Sequence, residues 1–216
     1  MVKLVAWFAF SSSKISLEEL KKSIMESPDI FPPHLRKTLE KVDFIAGWEL
    51  IKATVPFLNK TKSRNLVRLL LADKMHLLES LMEEGTERLL AIECLGYLPS
   101  RKTVEILIKL LSSKDESVQL AAAAALKLHT PRLVVPYLLD VLLAGAALPS
   151  RVGEVLLAMG YYAEEAMLEV YPLASPAIQA YILELLTSAA NPKCKNLVAE
   201  ALQQDNCKLK IKALEA

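Results

Sequence analysis

What this chain lacks narrows its function before any motif is considered. No run approaches the roughly 18 to 20 consecutive apolar residues of a membrane-crossing helix. Cysteines number only three, Cys94, Cys194 and Cys207, with no CxxC spacing and no histidine at ligand distance. That excludes a disulfide scaffold and points to reduced, buried thiols in a cytoplasmic setting. With six glycines the chain holds no GxGxxG, GxxxxGK[ST] or GxSxG, so phosphate loops and nucleophile elbows are absent. His34, His76 and His129 have no second histidine or cysteine three or four residues away, and no metal site is expected. The carboxylate pairs Glu18-Glu19, Glu83-Glu84 and Glu164-Glu165 are adjacent, so on a helix they diverge by about 100° and read as solvated charge. No catalytic residue, cofactor or metal ligand follows from these patterns, and a non-enzymatic protein is expected.

What is present is apolar and charged in balance. Of 216 residues, 53% are hydrophobic and 24% charged, which excludes a disordered chain. The formal net charge of +1 hides an uneven layout. Residues 1–75 carry 13 basic and 8 acidic side chains (+5), residues 76–190 carry 8 and 14 (−6), and residues 191–216 carry 5 and 3 (+2). Lys60, Lys62, Arg64, Arg68 and Lys74 face a single acid, Asp73, a basic patch suited to phosphate or an anionic lipid surface, with a solvated helix face as the commoner alternative. The stretch Val2 to Phe10, VKLVAWFAF, only grazes the lower limit of a signal-peptide core and lacks a small-residue cleavage site. It reads as a helix packed on the first repeat, with a membrane anchor as the alternative.

Apolar residues recur three and four apart almost throughout, the periodicity of helices. Ser16 with Glu19 forms a capping box. Thr130-Pro131, Ser175-Pro176 and Asn191-Pro192 each offer an N-cap oxygen followed by proline at the first helical position, and Ser100 and Asp115 read as further caps. Between residues 11 and 85, helices are expected at about 16–26, 32–42, 44–54, 63–72 and 74–83. From Thr86 onward, helices of about 10 to 14 residues are joined by two to four residues, which forces antiparallel neighbours.

These later helices repeat in pairs. Thr86 to Leu98, Glu116 to Pro131, Ser150 to Gly160 and Pro176 to Pro192 each supply a first helix, followed by KTVEILIKLL, LVVPYLLDVLL, EEAMLEVY and NLVAEAL. A truncated copy, NCKLKIKALEA, leaves Leu209, Ile211 and Leu214 with no following helix to bury them. The marker residues Leu95, Leu126, Met159, Leu186 and Leu214 are 31, 33, 27 and 28 residues apart. A fixed period of helix pairs is the signature of a solenoid, in which stacked neighbours supply the core. Glu93-Cys94-Leu95-Gly96, the run Ala121 to Ala125 before Leu126, and Ala190-Asn191-Pro192 resemble the short bacterial and archaeal HEAT-like repeats, the phycobilisome-lyase type. That resemblance implies an all-α, right-handed α-α superhelix of antiparallel helix pairs. The expected division is a divergent capping region over 1–85 and four helix pairs plus a terminal helix over 86–216.

The resemblance also implies that the second helix of each pair lines a concave face. On the helix starting at Pro131, Val134, Val135, Leu138, Leu139 and Leu142 form the core stripe, leaving Arg132, Tyr137, Asp140 and Val141 outward. The same bookkeeping exposes Lys102, Glu105 and Lys109 before it, then Glu165 and Glu169, then Lys193, Lys195 and Glu200. All six tyrosines lie between Tyr97 and Tyr181, as groove anchors or as fillers between helices. A mixed-charge groove with aromatic anchors is the composition of a protein-binding surface. The expected function is therefore an adaptor or scaffold that binds a protein partner. The alternative is a HEAT-like alkylpurine DNA glycosylase or other nucleic-acid-binding solenoid, which the acidic repeat core argues against. A tetrapyrrole lyase is a weaker alternative, resting on the shared repeat class alone.

Overall fold

The computed structural model describes residues 16–82, 85, 87–203 and 207–215, with only the backbone given for 207–209. The apolar stretch Val2 to Phe10 and the pair Glu83-Glu84 lie outside the described residues. Every regular element among the described residues is helical. The chain divides into two compact units, Met1–Leu98 and Pro99–Ala216.

Unit 1 holds α1 (Leu17–Glu26), α2 (Pro33–Leu39), α3 (Phe44–Thr54), α4 (Lys60–Leu71), α5 (Met75–Leu81) and α6 (Arg88–Gly96). A 3-10 turn, Val55–Phe57, closes α3. The capping box at α1 is formed: Glu19 N donates to Ser16 Oγ at 3.2 Å and Ser16 N to Glu19 Oε2 at 2.8 Å. Helix α4 starts three residues before its expected position because the Asn59 side chain accepts from Lys62 N at 2.9 Å. Helices α1 and α3 pack together, as do α2 and α4, so alternate helices form two layers.

Unit 2 repeats that layering more regularly. It comprises α7 (Arg101–Leu110), α8 (Glu116–Leu126), α9 (Pro131–Ala144), α10 (Pro149–Ala158), α11 (Tyr161–Val170), α12 (Pro176–Ser188), α13 (Cys194–Gln203) and α14 (Cys207–Glu215), with a 3-10 turn at Tyr171–Leu173. One layer runs α8, α10, α12, α14 and the other α7, α9, α11, each helix touching the next in its layer. This is the two-layer packing of an α-α solenoid. The last residues of α2, α4, α6, α8, α10 and α12 are spaced 32, 25, 30, 32 and 30 residues apart. The period of about 30 thus reaches back through the N-terminal region, where the sequence pattern is less regular.

Burial follows the expected stripes, with Val134, Val135, Leu138, Leu139 and Leu142 all inside. The alanine run serves close approach: Ala122, Ala123 and Ala125 are buried on α8 where it meets α7 and α10. Gly153 on α10 has the same use in sharper form. A Cβ there would lie 2.1 Å from the Tyr181 hydroxyl of α12, and that hydroxyl donates to Pro149 O at 2.7 Å. Two buried glutamines at the fourth residue of first-layer helices tie each helix to the turn before it. Gln119 Nε2 donates to Ser113 O at 2.6 Å, and Gln179 Nε2 to Tyr171 O at 3.0 Å.

Two details differ from expectation. Thr130 and Ser175 occupy N-cap positions, but neither side chain accepts a capping hydrogen bond. The prolines that follow set the first helical φ and remove one orphan N–H by themselves. Ser100 and Asp115 do cap, accepting from Thr103 N at 3.1 Å and Ser117 N at 2.9 Å. The terminal helix α14 packs on α12 and α13 through Ala213, while Ile211 and Leu214 remain exposed, as the sequence anticipated for both.

Candidate functional site

The candidate residues lie on α7, α9, α11 and α13 of unit 2, with Lys193 in the turn before α13. Ser100 starts α7, which then sets out Arg101, Lys102, Glu105 and Lys109, all exposed. Pro131 starts α9, which presents Arg132 and Asp140 to solvent and ends at Gly145, whose φ of +64° closes the helix with Ala146 N donating to Val141 O at 3.1 Å. Pro136 lies on the exposed side of α9, where the missing N–H leaves the Arg132 carbonyl without its helical donor.

Tyr137 and Val141 are half-buried, not outward as the stripe on α9 implies. The reason is contact between α7 and α9. Arg101 Nε donates to the Tyr137 hydroxyl, the guanidinium carbon stands 5.9 Å from the ring centroid, and the hydroxyl lies 3.4 Å from Glu105 Oε1. The tyrosine is held in a cation-π and hydrogen-bonded clasp by one turn of the neighbouring helix. Its hydrogen bond to Tyr137 raises the Arg101 pKa, so that cation is permanent. Arg101 was not among the expected site residues, although its i,i+4 spacing to Glu105 places both on one helix face.

A second cluster joins α11 to the start of α13. Lys193 Nζ meets both oxygens of Glu165 at 2.8 Å, which raises the lysine pKa. Beside it Asn191, buried, donates from Nδ2 to Glu164 Oε2 at 2.7 Å and accepts from Lys193 N at 2.9 Å. The structure therefore brings together Glu105 with Tyr137, and Glu165 with Lys193. Among the described residues, the side chains of Lys109, Arg132, Asp140, Glu169 and Lys195 make no hydrogen bond or ion pair, and Glu200 is exposed. Of the remaining tyrosines, Tyr97 and Tyr171 are buried, Tyr181 fills the space left by Gly153, and Tyr161 and Tyr162 stand exposed.

Residues 75–152 match the family model for HEAT repeats. Over these residues the chain carries HEAT repeats. The HEAT match opens at the first residue of α5, before the expected start at Thr86, and ends inside α10, while the same layering continues through α14. No curated protein and no solved structure matches the chain. Among the described residues no three His, Cys, Asp or Glu side chains converge as a metal site, and no helix is long and apolar enough to cross a membrane.

The basic patch between Lys60 and Lys74 does not form as a patch. Lys62 is only 6% exposed, and its Nζ donates to Met25 O at 3.1 Å and Ser27 O at 2.5 Å, closing the C-terminal end of α1. Lys74 Nζ donates to Val42 O at 3.1 Å and Leu70 O at 3.0 Å. Arg68 Nε donates to Tyr97 O at 3.2 Å. Three of the five cations are thus engaged with main-chain carbonyls, where helix C-termini concentrate negative potential.

Proposed function

We propose that this HEAT-repeat protein is a non-enzymatic scaffold that binds a protein partner across the second-layer face of unit 2, the face expected to be concave in a HEAT solenoid. The observation that supports it is the Arg101–Tyr137–Glu105 clasp, an aromatic fixed in place between the exposed charges Lys102, Lys109, Arg132 and Asp140. A rigid, partly desolvated tyrosine within a rim of both charge signs is the make-up of a binding hot spot. The acidic residues Glu165 and Glu169 on α11 extend that rim and disfavour a phosphate backbone as ligand. Buried Cys94 and Cys194 as free thiols support a reducing, cytoplasmic setting.

The test is capture of partners by wild type, by Tyr137→Ala with Asp140→Arg, and by Glu184→Ala on the opposite layer as a control. Partners retained by wild type and the control but lost from the double variant are expected. Equal capture by all three would end this reading. A DNA mobility shift at low salt is expected to show no retardation, and salt-sensitive retention would favour nucleic acid instead.

A further inference from the structure

Unit 1 contains a cavity of about 320 Å³ beside the α2 and α4 contact, lined by Ile30, Phe31, Arg36, Asn65, Arg68 and Leu69. Its size is at the lower end of ligand pockets, enough for one large side chain with its main-chain groups. Phe31 is buried at 6% exposure, whereas Ile30 is 78% exposed, an unusual position for so apolar a residue.

The polar part of the lining is cationic and held in place. Arg36 Nε donates to Glu40 at 2.9 Å and Arg68 Nε to Tyr97 O at 3.2 Å. Among the described residues the Nη groups of both arginines have no protein partner. Asn65 Nδ2 is fixed by donation to Asp29 O at 2.9 Å. Among the described residues no carboxylate lines the cavity. The two nearest in the hydrogen-bond network are already engaged, Glu40 by Arg36 and Asp29 by Asn59 at 2.8 Å. Two arginines that line one cavity, each anchored through Nε with its Nη donors unpaired, suit an anion with paired oxygens, and the apolar walls call for an aliphatic group beside it.

We propose that this cavity binds a peptide carboxylate immediately adjacent to a branched aliphatic side chain, with Arg36 and Arg68 gripping the carboxylate and Ile30, Phe31 and Leu69 covering the aliphatic group. The carboxylate comes either from a peptide's C-terminus or from an Asp or Glu side chain. The site belongs to unit 1 and stands independently of the second-layer face of unit 2.

Fluorescence anisotropy on the full chain tests it with three labelled peptides: one ending in Ala-Ala-Leu with a free carboxylate, the same peptide amidated, and an amidated peptide with internal Glu-Leu. The free carboxylate is expected to bind about tenfold or more tighter than its amide. Arg36→Gln and Arg68→Gln are each expected to weaken it about fivefold or more and to flatten the salt dependence. Both side chains are exposed, so the variants should retain wild-type helicity by circular dichroism. If the internal Glu-Leu peptide binds as tightly, the carboxylate source is an acidic side chain. Absence of binding by either carboxylate peptide at about 5 mM, affinity unchanged in both arginine variants, or stronger competition by inorganic phosphate than by acetate would each overturn the proposal.

Discussion

In unit 1 the cations Lys62, Lys74 and Arg68 reach main-chain carbonyls of elements 29 to 37 residues away, whereas in unit 2 alternate helices are joined by partly exposed ion pairs. Arg151 of α10 pairs with Glu116 of α8 at 2.8 Å, Lys127 with Glu154 at 2.5 Å, and Lys212 of α14 with Glu184 of α12 at 3.2 Å. The layering is the same in both units, yet the polar contacts that support it differ. A buried ammonium satisfying two carbonyls is costly to remove, because its partners are left without donors. Exposed ion pairs between long side chains contribute little and are screened by salt. Unit 2 relies instead on regular apolar stripes and close helix approach.

The largest effect expected in this comparison is at Gly153. Gly153→Val forces the α10 and α12 contact apart against a rigid tyrosine ring and should lower stability by about 3 kcal/mol in urea unfolding. A loss below about 1 kcal/mol would mean that the approach is not tight. Next comes Lys62→Met, which strands Met25 O and Ser27 O and should cost about 2 kcal/mol. An unchanged midpoint would show that water replaces the ammonium without penalty.

The two buried thiols report on the units separately. Burial, with Glu93 adding, pushes the Cys94 thiol up, so it should resist a thiol reagent until unit 1 opens. In a Cys207→Ser background, Lys62→Met should accelerate labelling of Cys94 by about thirtyfold and leave Cys194 nearly unchanged. Equal acceleration at both would show that the units open together and erase the contrast.

The smallest effect belongs to the ion pairs. The hydrogen bond from Lys127 holds the Glu154 carboxyl below its ordinary value of 4.5, with Arg151 adding and burial opposing. Since the folded value is the lower one, the stabilisation is present above the ordinary carboxylate range and is lost as pH falls through the depressed value. Lys127→Met should therefore cost no more than about 0.5 kcal/mol at neutral pH, and nothing at 1 M salt. A cost above 1 kcal/mol that survives salt would move unit 2 towards the behaviour of unit 1.

Much of this was legible from residues alone where the signal is local. The helix spans in both units, the capping box at Ser16, the caps at Ser100 and Asp115 and the core stripe of α9 all depend on residues within a turn or two of each other. The candidate face was legible only in outline. Charges on α7, α9, α11 and α13 are exposed where the periodicity puts them, except Glu165, which is half-buried against Lys193, and the clasp on Tyr137 needed Arg101, 36 residues away. The bonds of Asn191 and of the glutamines Gln119 and Gln179 were not legible, because each reaches a neighbouring turn or helix.

The amino-acid sequence by itself determined an all-α chain of paired helices with a period near 30, since helix periodicity and capping are set by neighbours a few residues apart. Only the tertiary structure decided which charges face solvent and which close helix ends. Lys62 and Lys109 are alike as letters, yet one is buried against two carbonyls and the other is exposed. The difference lies in which distant backbone atoms the packing brings within reach of each ammonium.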